Sequence, residues 1–241
     1  DIMKFDIPPN QELKQESKED FKNLELKNVN FAYNLDKNIL NGINLKIAEG
    51  EKICILGESG SGKTTLLSVL MGLLDISKGD FYVNENQINN NNFLNLQNQI
   101  GYVTQDIFIS DDTIINNIAI GEDADLIDKE KINKVVELSN LSDFIKNSKE
   151  GLYSKVGTKG VKLSGGQIQR IGIARALYRD PNIIFFDEAT SSLDENNETI
   201  VLNNIFKVFD KRTIVFVTHK KQLMKYFDRV IKINEGRISS D

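Results

Sequence analysis

The stretch Gly57-Glu58-Ser59-Gly60-Ser61-Gly62-Lys63-Thr64 carries the clearest chemistry in this sequence. Its spacing, Gly-x4-Gly-Lys-Thr, is that of a loop that wraps a polyphosphate. Glycines let the backbone curl and aim its N–H groups inward. A helix starting at the lysine adds positive potential at its N-terminus. Lys63 can then reach the β- and γ-phosphates, and the Thr64 hydroxyl can ligate Mg2+. A second candidate is Asp187-Glu188, two carboxylates at the end of the apolar run Ile183-Ile-Phe-Phe. Beside a phosphate loop, Asp187 can hold Mg2+ and Glu188 can polarise a water; taken alone, such a pair is also what two solvated acids at a strand end look like. A third is Leu163-Ser164-Gly165-Gly166-Gln167, which opens a helical stretch. Small residues before a helix offer backbone N–H groups to an anion, or simply cap the helix. The chain thus has two candidate anion sites about a hundred residues apart, and one nucleotide does not obviously need both.

These residues need elements to position them. Glu51–Leu56 reads as a buried strand leading into the phosphate loop, and Thr64–Leu74 as a helix with Leu66, Leu67, Leu70, Met71 and Leu74 on one face. Strand-like runs recur from Leu24 to Tyr33, from Ile43 to Ile47 after a turn at Asn41-Gly42, at Asn182–Asp187 behind Pro181, and at Thr213–Thr218. Asp80–Val83 reads as an edge strand, Thr113–Ile145 as dominantly helical, a further helix begins near Ser164, and Glu195–Phe209 is an amphipathic helix. Arg229–Ile238 reads as a hairpin turning at Asn234-Glu235-Gly236, and Asn89–Asn92 as a solvated loop. Strands alternating with helices predict an α/β fold with a mostly parallel sheet.

Composition narrows the class. The 241 residues are 40% hydrophobic and 27% charged, as in a globular domain. A net charge of −5 argues against general attraction to nucleic acid. No apolar run approaches the ~20 residues that span a bilayer. The lone Cys54 cannot form an intrachain disulfide. Residues 1–21 are polar, charged and contain Pro8-Pro9, which reads as a linker.

Leu163 to Gln167 resembles the signature motif of ATP-binding cassette (ABC) ATPases, and Gly57–Thr64 resembles their Walker A loop. Gln105, Asp187-Glu188, Ser191-Ser-Leu-Asp194 and His219 follow in the family's order, over about residues 22–241. The resemblance implies a phosphate-loop NTPase (RecA-like) core, with an N-terminal antiparallel β subdomain and an inserted helical subdomain at about 106–175. It implies ATP and Mg2+ as ligands. Tyr33 would stack on adenine; residues Gly57 to Thr65 would hold the phosphates; Thr64, Gln105 and Asp187 would serve Mg2+. Glu188 would act on the attacking water, and His219 would contact the γ-phosphate. Two cassettes would pair head to tail, so that Leu163, Ser164, Gly165, Gly166 and Gln167 complete the partner's site and Asp194 crosses the interface.

The segment after Gln105, Asp-Ile-Phe-Ile-Ser-Asp-Asp-Thr-Ile-Ile-Asn-Asn-Ile118, together with Val156-Gly-Thr-Lys-Gly160, resembles the exporter branch of the family. That implies an ATPase at the cytoplasmic face of the cell membrane, joined through residues 1–21 to an upstream transmembrane domain. The alternatives are a separate importer ATPase subunit, which usually begins close to its first strand, or a soluble ABC ATPase. The stretch from Gln105 to Leu163 is too short for the coiled coil of DNA-repair members. Ile168 and Lys220 depart from common family residues, and neither position supplies a ligand.

Overall fold

A computed structural model describes residues 21–34, 38–88 and 93–239. The leader at 1–20 and the solvated loop at Asn89–Asn92 lie outside the described residues. Two sheets share the chain. The first is antiparallel, with β1 (Asn23–Phe31) between β2 (Leu40–Ala48) and β4 (Lys78–Val83), and the two-residue β5 (Asn86–Gln87) outside β4. Asp80–Val83 is therefore not an edge strand: the hairpin through Asn84 and Glu85, both at positive φ, lays β5 along it.

The second sheet has the order β10-β9-β3-β8-β7-β6. Here β3 (Lys52–Leu56), β6 (Ile100–Val103), β7 (Ile183–Asp187), β8 (Thr213–Thr218) and β9 (Arg229–Asn234) run parallel, and β10 (Arg237–Ser239) returns as the expected hairpin. Parallel strands covered on both faces read as unbroken apolar runs, and every residue of β7 and β8 is buried. Their side chains alternate between two cores. Ile183, Phe185, Val215 and Val217 join Leu66, Leu67 and Leu70 of α1 (Lys63–Leu70) and the inner face of the antiparallel sheet. Ile184, Phe186, Ile214 and Phe216 join the helices on the other side. Phe21, the last residue of the expected linker, is buried with the first core.

One helical expectation changes. The helix after the phosphate loop stops at Leu70, short of Leu74, because Gly72 turns left-handed (φ 65°) and the Leu73 N–H bonds back to the Ser68 carbonyl. A Cβ at Gly72 would meet the Phe93 ring at 2.1 Å. Phe93 opens the short α2 (Phe93–Gln97). The Thr113–Ile145 region is dominantly helical, as expected, but in separate pieces. It divides into α3 (Ile114–Ile118), a 3-10 turn at Ala124–Leu126, α4 (Lys129–Leu138) and α5 (Ser142–Lys146). Gly121 and Asn140, both at positive φ, fall in its breaks. These pieces pack on α6 (Gly165–Tyr178), and α7 (Glu195–Val208) completes that layer.

Candidate functional site

Register aligns the ends of four strands. Leu56 pairs with Thr218, Asp187 with Val217, and Val103 with Phe186. The phosphate loop, His219, Glu188 and Gln105 therefore all leave the same carboxyl-terminal edge of the sheet, where ligands of open α/β folds bind.

The phosphate loop is shaped from below. A Cβ on Gly57 would lie 2.5 Å from both the Ile233 carbonyl oxygen and the Ser61 Oγ, so no side chain fits. Gly60 has open space around it but φ +78°, so it serves the backbone turn. The Ser61 carbonyl accepts from the Gly236 N–H at 3.0 Å, tying the loop to the C-terminal hairpin. Lys63 is 7% exposed, and its ammonium donates to the Gly57 and Glu58 carbonyls at 2.9 and 2.8 Å. The Ser61 hydroxyl is buried without a partner. Gly62 offers no capping side chain to α1, so the first-turn amides keep their donors. A buried lysine, an orphaned hydroxyl and an uncapped helix start fit a polyphosphate.

Asp187 sits at the end of β7, 5% exposed. Burial, and then the neighbouring Glu188, push its carboxyl above the usual range, while the Thr64 hydroxyl, Lys63 and the Tyr102 hydroxyl oppose that. Tyr102 was not singled out in the sequence. It reaches Asp187 because β6 lies beside β7, and burial together with Asp187 pushes its phenol up to about 12. Thr64 and Gln105 are exposed, so their oxygens are open to a ligand. Hydroxyl, amide and carboxylate oxygens near a phosphate loop fit Mg2+, which shares its shell with phosphates and water. Glu188 takes the left-handed φ of 50°, and His219 Nδ1 lies 3.7 Å from its Oε2. Tyr33 is 62% exposed, stands edge-on to Phe31, and its hydroxyl is 3.4 Å from Thr65 Oγ1.

The signature-like turn is built separately. Ser164 caps α6: its Oγ accepts the Gln167 N–H at 3.3 Å, and its own N–H donates to Gln167 Oε1 at 2.8 Å. Leu163 closes the preceding turn on the Gly160 carbonyl. Gly165 and Gly166 lie against Ser192 and Leu193. Among the described residues, none of this turn's hydrogen bonds reaches the phosphate loop. Asp194 caps α7, and its bonds from Asn197 hold its carboxyl below the usual range. Lys220 supplies no ligand, but it is not idle. Its ammonium meets the buried Glu198 at 2.9 Å and donates to the Thr190 carbonyl at 3.3 Å. Gln169, also unread in the sequence, bonds Ser191 and Ser192. Neither partner is adjacent in sequence, so no local pattern marks these two side chains.

The model of the family described as ABC transporter matches residues 40–191. This chain belongs to the ABC transporter family. As an ABC cassette it is an ATP-binding domain of the class that hydrolyses ATP for transport. It is similar to the alpha-hemolysin translocation ATP-binding protein HlyB of Escherichia coli O157:H7, at 40% identity over 219 residues, covering 90% of this chain and 31% of that protein. The putative multidrug export ATP-binding/permease protein YgaD of Bacillus subtilis (strain 168) is 38% identical over 217 residues, covering 89% and 37%. Among solved structures, a bacterial Atm1-family ABC exporter with ATP bound superposes with a TM-score of 0.85 at 32% identity, covering 91% of this cassette and 38% of that chain. The cassette spans about a third of the length of these curated relatives.

Proposed function

We propose that this cassette binds ATP between two copies of itself and hydrolyses it to drive export through a membrane domain. The observation that carries the paired arrangement is the separation of the two anion-binding elements. The uncapped phosphate loop and the Ser164–Gln167 turn share no hydrogen bond among the described residues, so the turn is free for a second chain's nucleotide. Lys63 and the amides of the loop bind the phosphates, and Tyr33 receives the adenine. Thr64, Gln105 and Asp187 would hold Mg2+, which neutralises charge on the phosphate oxygens. Glu188, backed by His219 at 3.7 Å, orients the attacking water and takes its proton. Ser164, Gly165 and Gly166 of the second copy close over the γ-phosphate, with Asp194 at the seam.

The relatives' names, HlyB's translocation and YgaD's export with permease, support the exporter reading. So do two exposed apolar side chains, Phe108 and Val161. Their loops are joined where Thr158 Oγ1 donates to Asp111 Oδ2 at 2.9 Å. That surface suits helices of a membrane domain, to which residues 1–21 would connect, with the cassette on the cytoplasmic face. Among the described residues no helix is long and apolar enough to cross a membrane.

Mixing Lys63→Ala chains with Ser164→Ala chains tests the shared site. One of the two sites in such a pair has both halves intact, so ATP turnover should reappear in the mixture, and wild-type turnover should rise faster than linearly with protein concentration. A linear rate with no recovery on mixing would show that the site is complete within one chain.

A further inference from the structure

The segment Glu188–Asp194 carries the proposed water-orienting group out of the sheet, and something must hold it still. Glu188 has a left-handed φ of 50°, a conformation that a non-glycine residue keeps only when its surroundings impose it. Inside the segment, the Ser191 N–H donates to the Glu188 carbonyl and the Leu193 N–H to the Thr190 carbonyl, each at 3.1 Å. These bonds make a compact turn but do not anchor it to the body of the domain.

Gln169 does. It lies on the first turns of α6, 3% exposed, and its amide is spent entirely on this turn: Nε2 donates to Ser191 Oγ at 3.0 Å, and Oε1 accepts the Ser192 N–H at 2.8 Å. A buried amide costs free energy unless both of its ends are bonded, and Met would fill similar volume without that cost. The geometry of those two bonds therefore accounts for an amide here. The helix that carries Gln169 is the one Ser164 caps, and Gly165 and Gly166 pack directly against Ser192.

We propose that Gln169 is a positioning residue that fastens the turn bearing Glu188 to α6 and so holds Glu188 at the chain's own nucleotide. This rests on the shared-site reading above.

The test replaces Gln169 by Met and, because a buried change can disturb folding, separately replaces the exposed Ser191 by Ala. In uniform preparations both variants should bind ATP with wild-type affinity, since the phosphate loop and Tyr33 are untouched. Turnover should fall for Gln169→Met by about 10- to 100-fold, the effect of misplacing a reacting group by up to ~1 Å. The double variant should be no slower than Gln169→Met, because both act through one contact. Unchanged turnover, or a loss of ATP affinity equal to the loss of turnover, overturns the proposal. In the Lys63→Ala plus Ser164→Ala mixture, the working site takes its Glu188 from the Ser164→Ala chain. Adding Gln169→Met to that chain should cost far more turnover than adding it to the other, and equal losses overturn the proposal. If the parent mixture is inactive, the shared-site reading fails by itself, and turnover against affinity in the uniform variants still decides Gln169.

Discussion

Lys220 sits one residue after His219 and holds the one buried carboxylate on α7, so replacing it by Met should unsettle both fold and site. Glu198 is 1% exposed and Lys220 reaches it at 2.9 Å with a side chain 21% exposed. Removing one partner of a buried pair costs about 3–5 kcal/mol, because the remaining charge is left without compensation. The lysine's partial exposure lets water reach the vacated space and puts the expected cost at the lower end, about 3 kcal/mol. In a chain of this size ~1 kcal/mol moves Tm by about 2–4 °C, so Lys220→Met should melt about 6–12 °C below wild type. Thermal unfolding followed by circular dichroism, without nucleotide, measures it. The double variant Lys220→Met, Glu198→Met replaces charge by apolar packing and should recover most of that loss. Its turnover should stay low, since the tie from Lys220 to the Thr190 carbonyl is gone. A single variant melting with wild type, or a double variant as unstable as the single, would refute the reasoning.

Glu188→Gln should keep ATP affinity but lose about 10²–10⁴ in turnover and accumulate as an ATP-bound pair, read by enzymatic assay and light scattering; near-normal turnover would remove Glu188 from its role. Tyr33→Ala should weaken ATP binding by about 1–2 kcal/mol through lost stacking, while Tyr33→Phe loses only the long contact to Thr65, and a fluorescent-nucleotide titration separates them. Asp187→Asn should raise the Tm of the nucleotide-free chain while abolishing Mg2+-dependent turnover. The sign follows from burial: the folded carboxyl is raised, so the native state binds more protons than the unfolded one, and stability falls as pH climbs from the unfolded carboxylate value of 3.8 through the folded value. An amide does not carry that burden at neutral pH, and a variant that melts lower than wild type at pH 7 would contradict it.

Much of the site was legible because its chemistry is local. The phosphate loop needs glycines at set spacings and a strand and helix around them, and all of these lie within twenty-odd consecutive residues. The strand Ile183–Asp187 declares itself by continuous burial. What escaped is long-range. Ile100–Val103 is a four-residue strand with a glycine in it, too short for a pattern, and only its pairing with β7 brings Tyr102 to Asp187. Asp80–Val83 looks like an edge strand because edge or interior is a property of neighbours, not of the segment. The Thr113–Ile145 region is apolar at helical spacing, yet Gly121 and Asn140 break it, and its pieces are held by packing on α6 and not by their own length. Gln169 and Lys220 look like ordinary polar helix and loop residues until α6 and β8 are set beside the turn after β7.

The strand order has a consequence for how the protein is made. β3, which delivers the phosphate loop, is flanked by β8 on one side and β9 on the other, with Ile53 beside Val215 and Arg229. Both neighbours belong to the last part of this sequence to leave a ribosome. The Gly236 N–H that supports the Ser61 carbonyl comes later still. A nascent chain therefore carries its nucleotide loop on a strand with neither sheet partner while residues 57–212 are made. Pairings of such long sequence separation are slow to form and leave apolar strands waiting. Competence to bind ATP should switch on late and abruptly, once residues 213–236 emerge.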